Sequence, residues 1–176
     1  MYQFRASQIE TFRKYLTTAY VTEDDLIKTL TGNVESNLKM KLGSLFEEAA
    51  CAGVESPYFD SVKDFLPKAA RKLGAFQVAD TAELNTSEGQ IILHAHCDVL
   101  LGNAVIEIKT RYSSVDLQDY ADSLQWVAYC HVFDVPAVHY YIAQVSLPAK
   151  VKTLEDITEP LRVVQNFRYA CRANPS

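Results

Sequence analysis

Residues 90–111 read Gln90-Ile-Ile-Leu-His-Ala-His-Cys-Asp-Val-Leu-Leu-Gly-Asn-Ala-Val-Ile-Glu-Ile-Lys-Thr-Arg111. Two apolar-rich runs flank Gly102-Asn103, a dipeptide suited to a two-residue hairpin turn. The pattern predicts antiparallel strands over Gln90–Leu100 and Ala104–Arg111. With Gly102 and Asn103 as the loop, Leu101 faces Ala104, Asp98 faces Glu107, His96 faces Lys109 and His94 faces Arg111. Side chains alternate along a strand. One face therefore carries His94, His96, Asp98, Glu107, Lys109 and Arg111; the other carries Leu93, Ala95, Cys97, Val99, Ile106 and Ile108.

Two carboxylates facing each other at roughly 5 Å repel and weaken a hairpin. A divalent cation with oxygen ligands relieves that repulsion. Lys109 lies one strand step from Glu107 and reaches the same volume, where an ammonium orients an attacking water or offsets charge on a phosphate. A solvated face of mixed charge accounts for the same residue types, but not for like charges set opposite each other. The pairing depends on an unbulged hairpin.

Outward from the hairpin, the N-terminal half has helical periodicity. Ser7 to about Ala19 predicts a helix, with Ser7 as N-cap and Glu10 completing a capping box. A second helix starts at Thr22, where Glu23, Asp24 and Asp25 suit the positive end of the helix, and stops at Gly32-Asn33. A third covers Asn37–Ala52, with Leu38, Leu42, Leu45, Phe46 and Ala49 as its apolar stripe. Short helical pieces are expected at Ser61–Phe65 and Lys68–Leu73, around Pro67, followed by a short strand at Phe76–Val78 and a turn at Asn85–Gly89. Beyond the hairpin, the sequence predicts a long helix from Leu117 to His131 capped by Asp116, a strand from Val138 to Val145, and a closing helix from Glu159 to Tyr169. Helices before and after a small sheet describe an α/β (α+β) fold in one domain spanning residues 1–176.

Composition narrows the class. At 48% apolar and 22% charged residues the chain is ordinary globular protein. It has no apolar run near the roughly 20 residues of a membrane span, so no membrane partner is expected. No apolar leader follows Met1, so the expected location is the cytoplasm. Cys51, Cys97, Cys130 and Cys171 are too scattered for a zinc or iron–sulfur site and, in a reducing compartment, are expected as small buried apolar residues. The net charge of −5 runs against nucleic-acid binding over the whole surface, but leaves room for a local basic patch.

Two helical motifs complete the set. Gly43-x-x-x-Glu47 places a carboxylate one turn beyond a glycine, and Gln125-x-x-x-Tyr129 puts an amide and a phenol on one face, in line with Gln118 and Asp122. In chain order, Gly43-x-x-x-Glu47, Asp98, Glu107-Ile108-Lys109 and Gln125-x-x-x-Tyr129 resemble the PD-(D/E)XK nuclease superfamily. The order is that of its lambda-exonuclease and RecB-like branch, which includes phage recombination exonucleases. The resemblance runs from about Gly43 to Val145, and Phe4-Arg5-Ala6-Ser7 and Thr110 are similar to the corresponding positions of many members.

The resemblance implies a restriction-endonuclease-like core, a small mixed β-sheet flanked by helices. It implies Glu47, Asp98, Glu107 and the Ile108 carbonyl as ligands of Mg²⁺, with Mn²⁺ as substitute. Lys109 is implied as the catalytic lysine, with Gln125 and Tyr129 supporting the site or touching DNA. The implied activity is hydrolysis of phosphodiester bonds in linear, double-stranded DNA during recombination or repair, in a bacterial or phage-infected cell. An endonuclease of the same superfamily, restriction-type or junction-cleaving, and a catalytically silent DNA- or protein-binding relative are the alternatives. DNA contacts are expected from Arg5, Ser7, Lys39, Lys41 and Arg111, with Arg5 the candidate for a terminal phosphate. A single-strand annealing recombinase and further copies of the chain are implied partners. Two departures stand out. His96 occupies the position, two before the motif aspartate, where many relatives have glycine. The grouped C-terminal cysteines of the iron–sulfur subgroup are absent.

Overall fold

The computed structural model describes residues 1–173. Its elements run β1 (Tyr2–Arg5), α1 (Ala6–Thr17), α2 (Glu23–Thr31), α3 (Leu38–Ala52), α4 (Lys68–Leu73), β2 (Ala75–Thr86), β3 (Gly89–Leu101), β4 (Ala104–Arg111), α5 (Gln118–Ala121), α6 (Leu124–Phe133), β5 (Ala137–Val145) and β6 (Val163–Arg172). Six strands form one mixed sheet, ordered β1-β3-β4-β5-β6, with β2 also paired to β3. None of the described helices is long and apolar enough to cross a membrane.

A strand has two edges, and β3 uses them unequally. β2 runs antiparallel along nearly all of one edge, from Ala75↔Leu100 to Thr86↔Gly89. The other edge is divided: β4 takes Val99–Leu101, and β1 runs parallel to Ile91–His94. The hairpin register is the one expected from the turn at its first three pairs, Leu101↔Ala104, Leu100↔Val105 and Val99↔Ile106. There the two strands part. His94 pairs with Arg5 rather than Arg111, and His96 has no ladder partner on β4. From Ala104 to Arg111, β4 continues instead as the parallel partner of β5.

The fork also divides the expected apolar face. Val99, Ile106 and Ile108 pack with α3 residues Leu42, Phe46, Ala49 and Ala50. Leu93, Ala95 and Cys97 belong to the opposite layer, with Val105 and the α6 residues Ala128, Tyr129 and Val132. The β2–β3 ribbon twists between Cys97 and Val99, so residues of one parity pass from one core to the other. β2 does the same: Phe76 packs with the α3 core and Val78 with the α6 core.

α3 matches its sequence signals closely. Asn37 caps it by accepting the Met40 N–H at 3.0 Å, and Gly53 ends it at φ 65°. Its buried stripe centres on Phe46, which meets Phe59 and Phe65 edge-on at 5.0 and 4.9 Å. Truncating that ring to alanine would cost about 3–5 kcal/mol.

Several expectations need correction. The N-cap of α1 is Arg5, whose N–H donates to Gln8 Oε1, because β1 feeds straight into the helix; Ser7 lies in its first turn. Glu10 closes no capping box. It reaches α6 instead, accepting from the Leu124 N–H at 2.8 Å and the Ser123 hydroxyl at 2.9 Å. The segment 61–65 forms turns, not a helix. The long helix is broken at Asp122-Ser123, and Ser123 caps α6 through the Gln125 N–H. The closing segment is strand β6, not a helix. Val163, Phe167, Tyr169 and Cys171 lie inward of their neighbours with a period of two, and β5 offers a free edge for pairing. All four cysteines are free thiols, but only Cys97 and Cys171 are buried as expected; Cys51 and Cys130 are half-buried.

Candidate active site

The fork between β3 and β4 gathers the charged residues. Asp98 and Glu107 are buried, at 7% and 3% exposure, as the only charged residues in that class among the described residues. Where the ladder ends, the Asp98 carboxylate takes over from a backbone carbonyl: its Oδ2 accepts the Ile108 N–H at 2.6 Å. Lys109 Nζ donates to Glu107 Oε1 at 2.6 Å. Glu107 Oε2 is buried with no hydrogen-bond partner. An uncompensated buried carboxylate oxygen is costly, and sites that tolerate one commonly serve a ligand.

Electrostatics reflect this crowding. Burial pushes the Asp98 carboxyl up to about 6; Lys109 pulls it down, and the nearby Glu47 charge adds to the rise. Burial also raises Glu107, with Asp98 contributing and Lys109 opposing. For Lys109 burial acts downward, but Glu107 and Asp98 outweigh it and hold the ammonium above its ordinary value. Lys109 therefore remains a cation at neutral pH, suited to orienting and charge stabilisation rather than proton abstraction.

The two α6 residues brace Glu107. The Tyr129 hydroxyl lies 3.1 Å from Glu107 Oε1 and 3.0 Å from the His96 carbonyl, and Gln125 Nε2 donates to it at 2.8 Å. Burial, then the Glu107 and Asp98 charges, push the Tyr129 phenol well up, so it stays protonated as a donor. Gln118 and Asp122 bond to each other on the far side of the helix break and do not join this row.

α3 supplies Glu47 from above the sheet. Gly43, one turn earlier, allows the close approach: a Cβ there would stand 3.2 Å from Thr110 Oγ1 on β4. Gln77 Nε2 donates a short hydrogen bond to Glu47 Oε1. Glu47, Asp98 and Glu107 line one cleft of about 810 Å³ together with Lys109, Gln125, Tyr129, Arg5, Ser7, Gln77, His94 and His96. Each carboxylate has one oxygen tied to a protein donor. Among the described residues, no three His, Cys, Asp or Glu side chains form a ready-made metal shell.

A second cleft of about 540 Å³ adjoins the first across Glu47 and Lys109. Lys39 and Arg111 line it, each held over an aromatic ring: Lys39 at 5.9 Å from Tyr112, Arg111 at 5.2 Å from Tyr120. Lys41 lines neither cleft; its charge acts on Glu155. The residue that sequence reasoning missed is Gln77, which the expected short strand left without a partner. Extending that strand to a two-residue turn at Ser87-Glu88 sets Phe76 against Val99 and Val78 against Cys97, and so Gln77 against Asp98. The arithmetic was open to the sequence.

No family model and no curated protein matches the chain. Among the solved structures that match, two illustrate the shared fold. One is SSO0001, 13% identical with a TM-score of 0.56, the match covering 100% of this chain and 70% of that one. The other is an alkaline exonuclease (LHK-Exo) from Laribacter hongkongensis, 17% identical with a TM-score of 0.56, covering 98% of this chain and 78% of that one. At these identities the likeness is one of fold: a central mixed sheet flanked by helices, similar to that of an alkaline exonuclease.

Proposed function

We propose that the protein is a metal-dependent nuclease that hydrolyses phosphodiester bonds of DNA, acting as an exonuclease on linear duplexes. The observation that carries this reading is the orphaned Glu107 Oε2, buried beside Asp98 and Lys109 in an open, polar cleft. The donor set fits Mg²⁺, a hard cation that takes oxygen ligands and accepts Mn²⁺ as a replacement. Asp98, Glu107 and Glu47 would hold it. The Ile108 carbonyl fits the same role, because a strand residue's N–H and C=O leave on one edge and the Ile108 N–H points into the fork. The ion would supply a water of lowered pKa and stabilise charge on the phosphate.

The chain's own residues account for the remainder. Lys109, kept charged by Glu107 and Asp98, orients the attacking water or offsets charge developing on the phosphate. Tyr129 and Gln125 hold Glu107 in place. Arg5 and Ser7 at one end of the first cleft, and Lys39 and Arg111 in the second, are suited to backbone phosphates on either side of the reacting one.

The test is cleavage of end-labelled linear duplex and of a closed circle, with and without Mg²⁺. The expected result is Mg²⁺-dependent degradation of the linear DNA, sparing of the circle, and loss of activity in Asp98→Ala and Lys109→Ala. Cutting of the circle would indicate an endonuclease. Full activity in either variant would remove this site assignment.

A further inference from the structure

Gln77 is out of place by every local rule. It is the third residue of β2 yet has φ +53°, a left-handed conformation unusual for a residue with a Cβ. It stands opposite Asp98, and the ladder is regular on both sides of it, at Phe76↔Val99 and Val78↔Cys97, but not at Gln77 itself. No residue is inserted, so this is not a bulge. It is also the point where β2 and β3 pass from one core layer to the other. Backbone conformations of this kind persist only where the surroundings impose them, and they cluster at functional sites.

The side chain indicates what the conformation achieves. From β2, on the edge of β3 away from β4, the Gln77 amide reaches α3 and donates to Glu47 Oε1. That bond spans 30 residues of sequence and links the cleft's helical carboxylate to the strand facing Asp98. The bond occupies one oxygen of Glu47 and restricts the carboxylate's rotation.

We infer that Gln77 is a positioning residue: its left-handed backbone and its amide bond to Glu47 aim that carboxylate at the cation site between Asp98 and Glu107. The inference rests on the metal-dependent reading above. Gln77 need touch neither cation nor substrate; it acts through Glu47, as a ligand's outer hydrogen-bond partner commonly does.

The experiment is a double-mutant cycle on the full chain, read as Mn²⁺ binding by the electron paramagnetic resonance of the free ion, with thermal melts of the metal-free proteins alongside. Gln77→Gly is the informative variant, because glycine adopts φ near +53° without a Cβ clash, so the backbone survives while the amide is lost. The expected result is metal-free melting no lower than that of the wild type and Mn²⁺ affinity weaker by about tenfold. In a Glu47→Gln background the same change should weaken binding no further, a dependence that a purely structural role for Gln77 would not produce. Equal or tighter binding by Gln77→Gly, or an equal loss in both backgrounds, overturns the inference and leaves the nuclease reading intact. Absence of Mn²⁺ binding by the wild type overturns the nuclease reading and the inference together. Should Gln77→Gly melt far below the wild type, Gln77→Asn replaces it in the cycle: asparagine tolerates a positive φ, and its amide is one methylene short of Glu47. Its loss of Mn²⁺ affinity should vanish in Glu47→Gln, and a loss that persists unchanged there again overturns the inference.

Discussion

The carboxylate of Asp98 accepts the backbone N–H of Ile108 at 2.6 Å across the point where β3 and β4 separate. One side chain thus closes the last rung of the hairpin and presents a buried charge to the cleft. Asp98→Asn keeps an acceptor oxygen for Ile108 and removes the charge, whereas Asp98→Ala leaves the N–H without its partner at a cost of about 1–3 kcal/mol. Metal-free Asp98→Asn is expected to be more stable than the wild type in urea unfolding, and Asp98→Ala less stable than Asp98→Asn. Both should lose Mg²⁺-dependent cleavage. A wild type more stable than Asp98→Asn at pH 7 would contradict the strain assigned to this charge.

That strain has a pH dependence of definite sign. Burial, reinforced by Glu47, holds the folded Asp98 carboxyl at about 6, against 3.8 for an ordinary aspartate. The folded state therefore binds this proton more tightly than the unfolded state does. Its contribution favours folding below about pH 4, is lost as pH rises from about 4 to about 6, and is a constant penalty above that. A displacement of this size is on the order of 3 kcal/mol. Urea unfolding of the metal-free protein should show the advantage of Asp98→Asn over wild type largest at pH 7 and vanishing near pH 4. Mn²⁺ affinity should fall below pH 6, because the ligand must shed its proton to bind. An Asn advantage that does not vary between pH 4 and pH 7 would exclude the raised Asp98.

Tyr129 tests the support beneath Glu107. Removing the hydroxyl in Tyr129→Phe takes a donor from Glu107 Oε1 and leaves the Gln125 amide without its acceptor. The ring's packing among Ala128, Val132 and Tyr140 in the α6 core is unchanged. The expected loss is about 1.5–3 kcal/mol, the range for a hydrogen bond to a charged group. Activity should drop roughly 10–100-fold. Neutral substitution in both chemical denaturation and cleavage would mean that Tyr129 is merely a core aromatic.

The hairpin turn and the third helix were legible because each rests on a local signal: the two-residue turn at Gly102-Asn103 and the apolar stripe from Leu38 to Ala49. Counting also sets Asp98 opposite Glu107, but the ladder stops one pair short of them, at Val99↔Ile106. What the count could not contain is the fork. Beside it lies β1, a four-residue strand more than 80 residues away that takes a stretch of the β3 edge which β4 leaves. Strand pairing at that separation leaves no periodicity in either segment. β6 was misread for a related reason: a segment with Val, Phe and Tyr becomes a strand when a neighbour offers an edge, whatever a proline at its start implies. The left-handed Gln77 is the extreme case, since glutamine carries no signal for that conformation.

Gly43 marks where helix and sheet must nearly touch for Glu47 to reach the fork. A Cβ there meets Thr110 Oγ1 at 3.2 Å, tight enough to require a shift of a few tenths of an ångström. Gly43→Ala sets that clash against a gain of about 1 kcal/mol in helix propensity, so its net effect on stability should be small. Gly43→Leu cannot be accommodated without moving α3 away from β4, and overpacking of this kind costs about 1–3 kcal/mol. Glu47, one turn along, moves with the helix. Gly43→Ala is therefore expected to keep most Mn²⁺ binding and cleavage. Gly43→Leu should remain folded by circular dichroism yet bind Mn²⁺ about as weakly as Glu47→Gln. Wild-type Mn²⁺ affinity in a folded Gly43→Leu protein would show that the approach of α3 to β4 does not set the position of Glu47.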